Sequence, residues 1–281
     1  MFHAIEEAFV DSIIIIPILF VTYVLMEWLE HKAKGKSLDM IRVAGKTGPA
    51  VGGLIGIIPQ CGFSGAAASF YAAHSITLGT LIAIFMATSD EMLPILISAS
   101  LSPILIIKIL GVKCIAGIVC GYLVDMVYKR KPKIEANHIH DFCEQEHCDC
   151  DKGIFGSALK HTLSIFILVF IVSALINIAF DYAQDGHITY AAMIWNKPVV
   201  GYLLSGLIGL VPNCSASVLI TDLYVQGIMG IGPMMTGLCV NAGVGLLVLY
   251  KVNHHLKENL AITGLLYVFG VIAGMVIQLV F

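Results

Sequence analysis

Two short stretches of the chain repeat the same chemistry. GIIPQCGFS covers 56–64 and GLVPNCSAS covers 209–217. In each, a proline (Pro59, Pro212) removes a backbone donor and breaks or kinks a helix. An amide follows (Gln60, Asn213), then a thiol (Cys61, Cys214), then a serine placed to cap the next helix (Ser64, Ser217). Amide and hydroxyl oxygens suit hard ions, and thiolates suit soft ones. The plainer use of the same residues is a pair of kinks whose small side chains let helices approach closely.

Asp90 and Glu91 are the second candidate. They lie within IAIFMATSDEMLPIL (82–96), an otherwise apolar run. Ionisable groups at membrane depth are costly and mark ion paths or proton relays. The pair could bind a divalent cation or exchange protons with it. A helix N-terminus at the water surface would also accommodate two acids. Asp222, inside SVLITDLYVQ, is a weaker candidate for the same path.

A third cluster has different chemistry. His138, His140, Cys143, His147, Cys148 and Cys150 fall within thirteen residues, interleaved with acids. Short His/Cys-rich tracts bind metals, and imidazole with thiolate favours zinc and copper over magnesium or calcium. The spacing matches no zinc finger, so the expectation is a chelating or sensing loop.

The elements that must position these groups follow from composition. Of the 281 residues 58% are apolar and 12% charged, and the mean hydropathy is +0.90. Soluble domains are about 25% charged. A span needs roughly 20 residues, so the length allows about ten. Long unbroken runs such as Ser12–Leu29 exclude the alternating pattern of a β-barrel. With 16 Lys+Arg and a net charge of −3, nothing suggests nucleic-acid binding. The apolar segments Leu101–Leu110, Cys114–Tyr128 and Met234–Tyr250 each read as one helix. The basic stretches 30–46 and 129–152 read as loops on the cytoplasmic side. That places both termini outside and the 251–258 segment inside.

An internal repeat organises the whole. At a shift of 153 residues, seven of the twelve positions from 53 to 64 are identical in 206–217, Pro and Cys included. The register continues ungapped through Tyr71/Tyr224, Gly79/Gly232, Gly117/Gly270 and Gly121/Gly274, and pairs Thr88 with Asn241. About five helices per half, with the linker inside, would make the second half upside down. Inverted repeats of this kind build many secondary transporters, with substrate at the midplane on discontinuous helices. The expected fold is therefore an all-α polytopic membrane protein. Its ten or so segments form two inverted five-helix repeats with proline-broken helices: 1–128, a linker 129–152, and 153–281.

No P-loop and no GxSxG motif is present, so neither ATP-driven pumping nor hydrolase chemistry is expected. Two five-helix halves, each with G-x-x-P-[QN]-C, and a His/Cys/acid-rich centre resemble the ten-transmembrane heavy-metal exporters. Members of that bacterial family are labelled manganese transporters or arsenic efflux proteins. The resemblance rests on IGIIPQCGFS (55–64), TSDEMLPI (88–95) and IGLVPNCSAS (208–217). It implies metal or metalloid efflux across the inner membrane.

The leading expectation is a secondary exporter of a divalent transition metal, manganese first, driven by proton exchange through Asp90 or Glu91. The oxygen set Asp90, Glu91, Gln60, Asn213 and Asn241 suits Mn²⁺, with Cys61 and Cys214 adding soft character. An arsenical held by Cys61, Cys214 and Cys239 is the first alternative. An anion at the helix N-termini after Pro59 and Pro212 is another, and a membrane-embedded sensor working through 138–150 is the last. No enzymatic activity and no resident cofactor are expected. The metal is substrate or loop ligand, and the partners are a small inorganic ion, the bilayer and, as an open option, a second copy of the chain.

Overall fold

The computed structural model describes residues 38–57, 61–89, 92–128 and 199–280, with short helical stretches inside 16–24 and 159–174. The regular elements among the described residues are helices. In the first half they are α1 (Leu38–Gly56), α2 (Cys61–Ala72), α3 (Leu78–Ala87), α4 (Met92–Ser98) and α5 (Pro103–Val127). In the second they are α6 (Val200–Gly209), α7 (Cys214–Val225), α8 (Ile231–Val240), α9 (Val244–Val252) and α10 (Leu256–Val280).

Three described stretches are long and apolar enough to cross a membrane: Pro103–Val127, Ile231–Val252 and Leu256–Leu279. The outer two turn large apolar side chains outward, among them Ile104, Ile107, Ile115 and Val119 on α5 and Val268, Ile272 and Val276 on α10. Lipid, not water, is the solvent that makes such faces stable. The chain is a multi-pass membrane protein.

α3 and α8 form the centre. All ten residues of Leu78–Ala87 are buried, as an element apolar all round must be. α3 begins where the Thr77 hydroxyl accepts from the Thr80 N–H. α5 begins at Ser102, which accepts from the Leu105 N–H, with Pro103 supplying a preset φ at the first position. α5 then lies on α3 through Gly117 and Gly121. A Cβ at Gly117 would stand 2.8 Å from the Ala83 carbonyl oxygen. α10 lies on α8 through Gly270 and Gly274, where a Cβ at Gly274 would stand 2.7 Å from the Gly232 carbonyl oxygen. Small residues permit this approach where packing, not hydrophobicity, drives association.

The two halves fasten these pairs alike. The Asp125 carboxylate on α5 accepts from the Gly79 N–H at 2.8 Å and from the Thr77 hydroxyl at 2.7 Å. In the second half, 153 residues on, the Gln278 carbonyl accepts from the Gly232 N–H at 3.0 Å. The halves also exchange elements: α2 packs on α9, and α4 on α7. At the ends of α2 and α10 the Tyr71 hydroxyl donates to Glu258 at 2.6 Å.

Four sequence expectations change. Ser64 and Ser217 do not cap: α2 starts at Cys61 and α7 at Cys214, so both serines lie inside their helices, and Asn213 holds the position before α7. Leu101–Leu110 and Cys114–Tyr128 are not separate helices but lie in the single α5. Gly111 costs only about 1 kcal/mol against Ala, too little to end it, and Lys113 is buried within it. Met234–Tyr250 is not one helix: α8 stops at Val240, and Asn241–Gly243 separates it from α9. No proline marks this break; Gly243 makes it, at φ 53° and ψ −139°, where a side chain is disfavoured. The basic stretch 30–46 is not all loop, since α1 starts at Leu38. Leu38, Met40, Ile41, Val43 and Ala44 make the second part of this stretch apolar enough in sequence for a helix to begin there.

Candidate functional site

The helix breaks of the first half are tied together. α1 ends at Gly56, and the freed carbonyl of Ile57 accepts from the Ser89 hydroxyl at 2.7 Å. Ser89 itself stands just past the end of α3. There the Thr88 hydroxyl turns back onto the Ile84 carbonyl at 2.7 Å. The Thr88 carbonyl takes the ammonium of Lys113 from the middle of α5. Two elements, α1 and α3, therefore end at one interior level, where side chains answer the Ile57, Ile84 and Thr88 carbonyls.

The second half joins this level through α9. Gly245, in the first turn of α9, lies so close to α2 that a Cβ would stand 2.7 Å from Ser64 Cβ and 2.8 Å from the Phe85 ring. Ser64, three residues after Cys61, and the start of α9 beside the α8–α9 break are thus neighbours. Before Gly243, the Asn241 side-chain oxygen accepts from the Gly243 N–H at 2.9 Å. In the same half α6 ends at Gly209, Val211–Asn213 bends, and α7 starts at Cys214.

Most of the sequence candidates that the structure describes are buried in this region. Ser64, Ser217, Asn213 and Asn241 are all at most 2% exposed. Ser64 lies against Gly245 across the α2–α9 contact, and Asn241 stands just before α9. Asn213 and Ser217 sit at the start of α7, which packs on α8 and α4. Cys61 and Cys214 occupy the first positions of α2 and α7. Gln60, Asp90 and Glu91 lie outside the described residues. The six linker candidates, His138 to Cys150, also lie outside them. Asp222 stands apart, near the far end of α7, and accepts from Gln226. Among the described residues no group of three His, Cys, Asp or Glu side chains could hold a metal. Cys114, Cys120 and Cys239 are buried free thiols.

Lys113 is the residue that motif reading overlooks. It is 1% exposed and the charged side chain most fully buried among the described residues. It is carried by α5, which touches α8 of the other half. The signal that reveals it is one ionisable residue inside the apolar run GVKCIAG (111–117).

Chemically the level offers a fixed cation, amides and hydroxyls, and the N-termini of α2, α7 and α9. Every helix start there presents N–H groups with a partial positive charge. A family model described as "Putative, 10TM heavy-metal exporter" matches residues 1–190. No curated protein and no solved structure matches the chain.

Proposed function

The chain belongs to this family of ten-transmembrane heavy-metal exporters, and we propose that it is a secondary transporter, not an enzyme, that carries a heavy-metal species out through the level where its helices break. The observation that carries the reading is the junction of Ile57, Thr88, Ser89 and Lys113 in one half with Asn241–Gly245 in the other. Irregular backbone at membrane depth is stable only where it is covered by protein or lines a cavity. Transporters of inverted-repeat design place their substrate at such a junction, and the matched fastenings of the two halves support that design here.

Protons are the exchanged ion in this reading, with Asp90 and Glu91 as carriers beside the α3 break. The same acids, with Gln60, Asn213 and Asn241, suit a hard dication, for which Mn²⁺ is the reference. Cys61 and Cys214 would favour a thiophilic arsenical instead. The His/Cys linker 138–150 serves as a cytoplasmic collector of metal, and the protein sits in the inner membrane with both termini outside.

The test is metal-by-metal flux in proteoliposomes of the full chain, with and without an imposed pH gradient. Flux that an opposing proton gradient accelerates, and that Asp90→Asn or Glu91→Gln abolishes, is expected. Flux indifferent to the gradient would remove proton exchange. Under the dication reading Cys61→Ser only weakens transport. Under the arsenical reading Cys61→Ser is the more damaging change.

A further inference from the structure

Asn241 carries a buried donor that the protein does not use. It is 2% exposed, and its Nδ2 has no hydrogen-bond partner. The orientation of the amide is fixed by its other end: Oδ1 accepts from the Gly243 N–H at 2.9 Å. Flipping it would set two donors against each other. A buried amide nitrogen without an acceptor is destabilising, so its retention calls for a use. Two other buried groups, the Ser205 and Thr221 hydroxyls, also lack a partner. A helical hydroxyl can rotate onto the carbonyl one turn back. The Asn241 nitrogen, held at a break by its own cap, has no such recourse.

The surroundings of that nitrogen favour negative charge. It stands at the N-terminus of α9, whose first N–H groups point back toward the break. Lys113 is carried by α5, which touches α8, the helix that ends just before Asn241. The repeat sharpens the point. Thr88 is the counterpart of Asn241, and its hydroxyl is satisfied on Ile84. Leu266 stands where the second half would need a lysine like Lys113. One half is thus closed on itself, and the other keeps an unanswered donor.

We infer that Asn241 Nδ2 donates to a terminal oxygen of the transported species, so that the heavy element crosses as an oxo- or hydroxo-species and not as a bare dication. This rests on the exporter reading and narrows its substrate class. Oxygen atoms of such a species accept from the amide and from N–H groups at the start of α9. A bare dication would meet hydrogen-bond donors on this side.

The experiment uses the full chain, in detergent for thermal unfolding and in proteoliposomes for flux, with molybdate, chromate, arsenite and MnCl₂ as probes. The wild type is expected to be stabilised by, and to transport, at least one of the three oxygen-bearing probes and not Mn²⁺. Asn241→Asp keeps the cap on Gly243 and turns only the free donor into an acceptor. It should lose on the order of tenfold to a hundredfold in affinity and flux. Asn241→Thr guards against misfolding, because it copies Thr88: its hydroxyl can rest on the Gly237 carbonyl, and it offers no free donor. It should fold as the wild type and show the same loss. Oxo-probe transport by Asn241→Thr at the wild-type rate would overturn the inference. Mn²⁺ transport by the wild type, kept or raised in Asn241→Asp, would also overturn it and leave the exporter reading standing. If none of the four probes binds or crosses, the exporter reading falls, and the inference with it.

Discussion

Lys113 shows how a single residue can matter through its depth. Burying an ammonium costs several kcal/mol unless it is answered, and here the Thr88 carbonyl answers it at the end of α3. Replacing a buried ion by an apolar side chain of similar length is often neutral or stabilising for the fold. Lys113→Met should therefore keep or raise the thermal midpoint while transport falls about tenfold or more, roughly 1.4 kcal/mol. Unfolding of the variant at lower temperature with unchanged flux would assign the lysine to packing alone. Asp125 offers a contrast. Its two oxygens hold Gly79 and Thr77, whereas an amide has one acceptor. Asp125→Asn should cost about 1 kcal/mol, the worth of one hydrogen bond, and Asp125→Leu up to about 3 kcal/mol, because buried donors are then orphaned. Parallel denaturation curves would show the order. Residues of this kind are hard to read from sequence. Lys113 is visible as a charge in an apolar run, but its partner is a backbone carbonyl that no motif spells.

The elements were legible to different degrees, and for physical reasons. Proline made the α1–α2 and α6–α7 boundaries plain, because a missing donor is a property of the residue itself; the serines did not mark the helix starts, since Ser64 and Ser217 lie a turn inside α2 and α7. The α8–α9 break was not plain, since its cause is the backbone angle of Gly243, one glycine among 27. Two tests bear on it. Gly243→Ala places a side chain at φ 53° and should cost about 1–3 kcal/mol, read as a lowered midpoint. Gly245→Val puts a side chain onto Ser64 and should cost a similar 1–3 kcal/mol through overpacking. It should also impair flux by parting α2 from α9. Normal flux in Gly245→Val would mean that the α2–α9 contact only holds the fold. The unity of α5 was hidden for the opposite reason: Gly111 and Lys113 look like a loop, yet both fit inside one long helix whose neighbours satisfy the charge.

For the whole molecule, the polar ends gather on one side. Tyr71 bonds Glu258, and Thr77 bonds Asp125 just before the basic linker begins. The turn after α2, the start of α10 and the end of α5 therefore share one end, in keeping with a cytoplasmic side chosen from Lys and Arg. A cysteine placed near Asp185 should be labelled from outside, and labelling from the cytoplasm alone would reject the five-plus-five arrangement. Tyr71→Phe removes a bond between the halves, one to a charged group, and should cost about 1.5–3 kcal/mol, seen in thermal unfolding. In the proposed inverted design, the likeness of the two halves has a further consequence. If the fastenings were identical, exchanging the halves would turn the molecule over without changing its energy, and an empty carrier would rest facing either side equally often. Asp125 against Gln278, Lys113 against Leu266 and Thr88 against Asn241 are departures from that balance. Every 1.4 kcal/mol or so by which they favour one orientation is a tenfold preference. These few unmatched pairs would then decide which way the idle carrier faces.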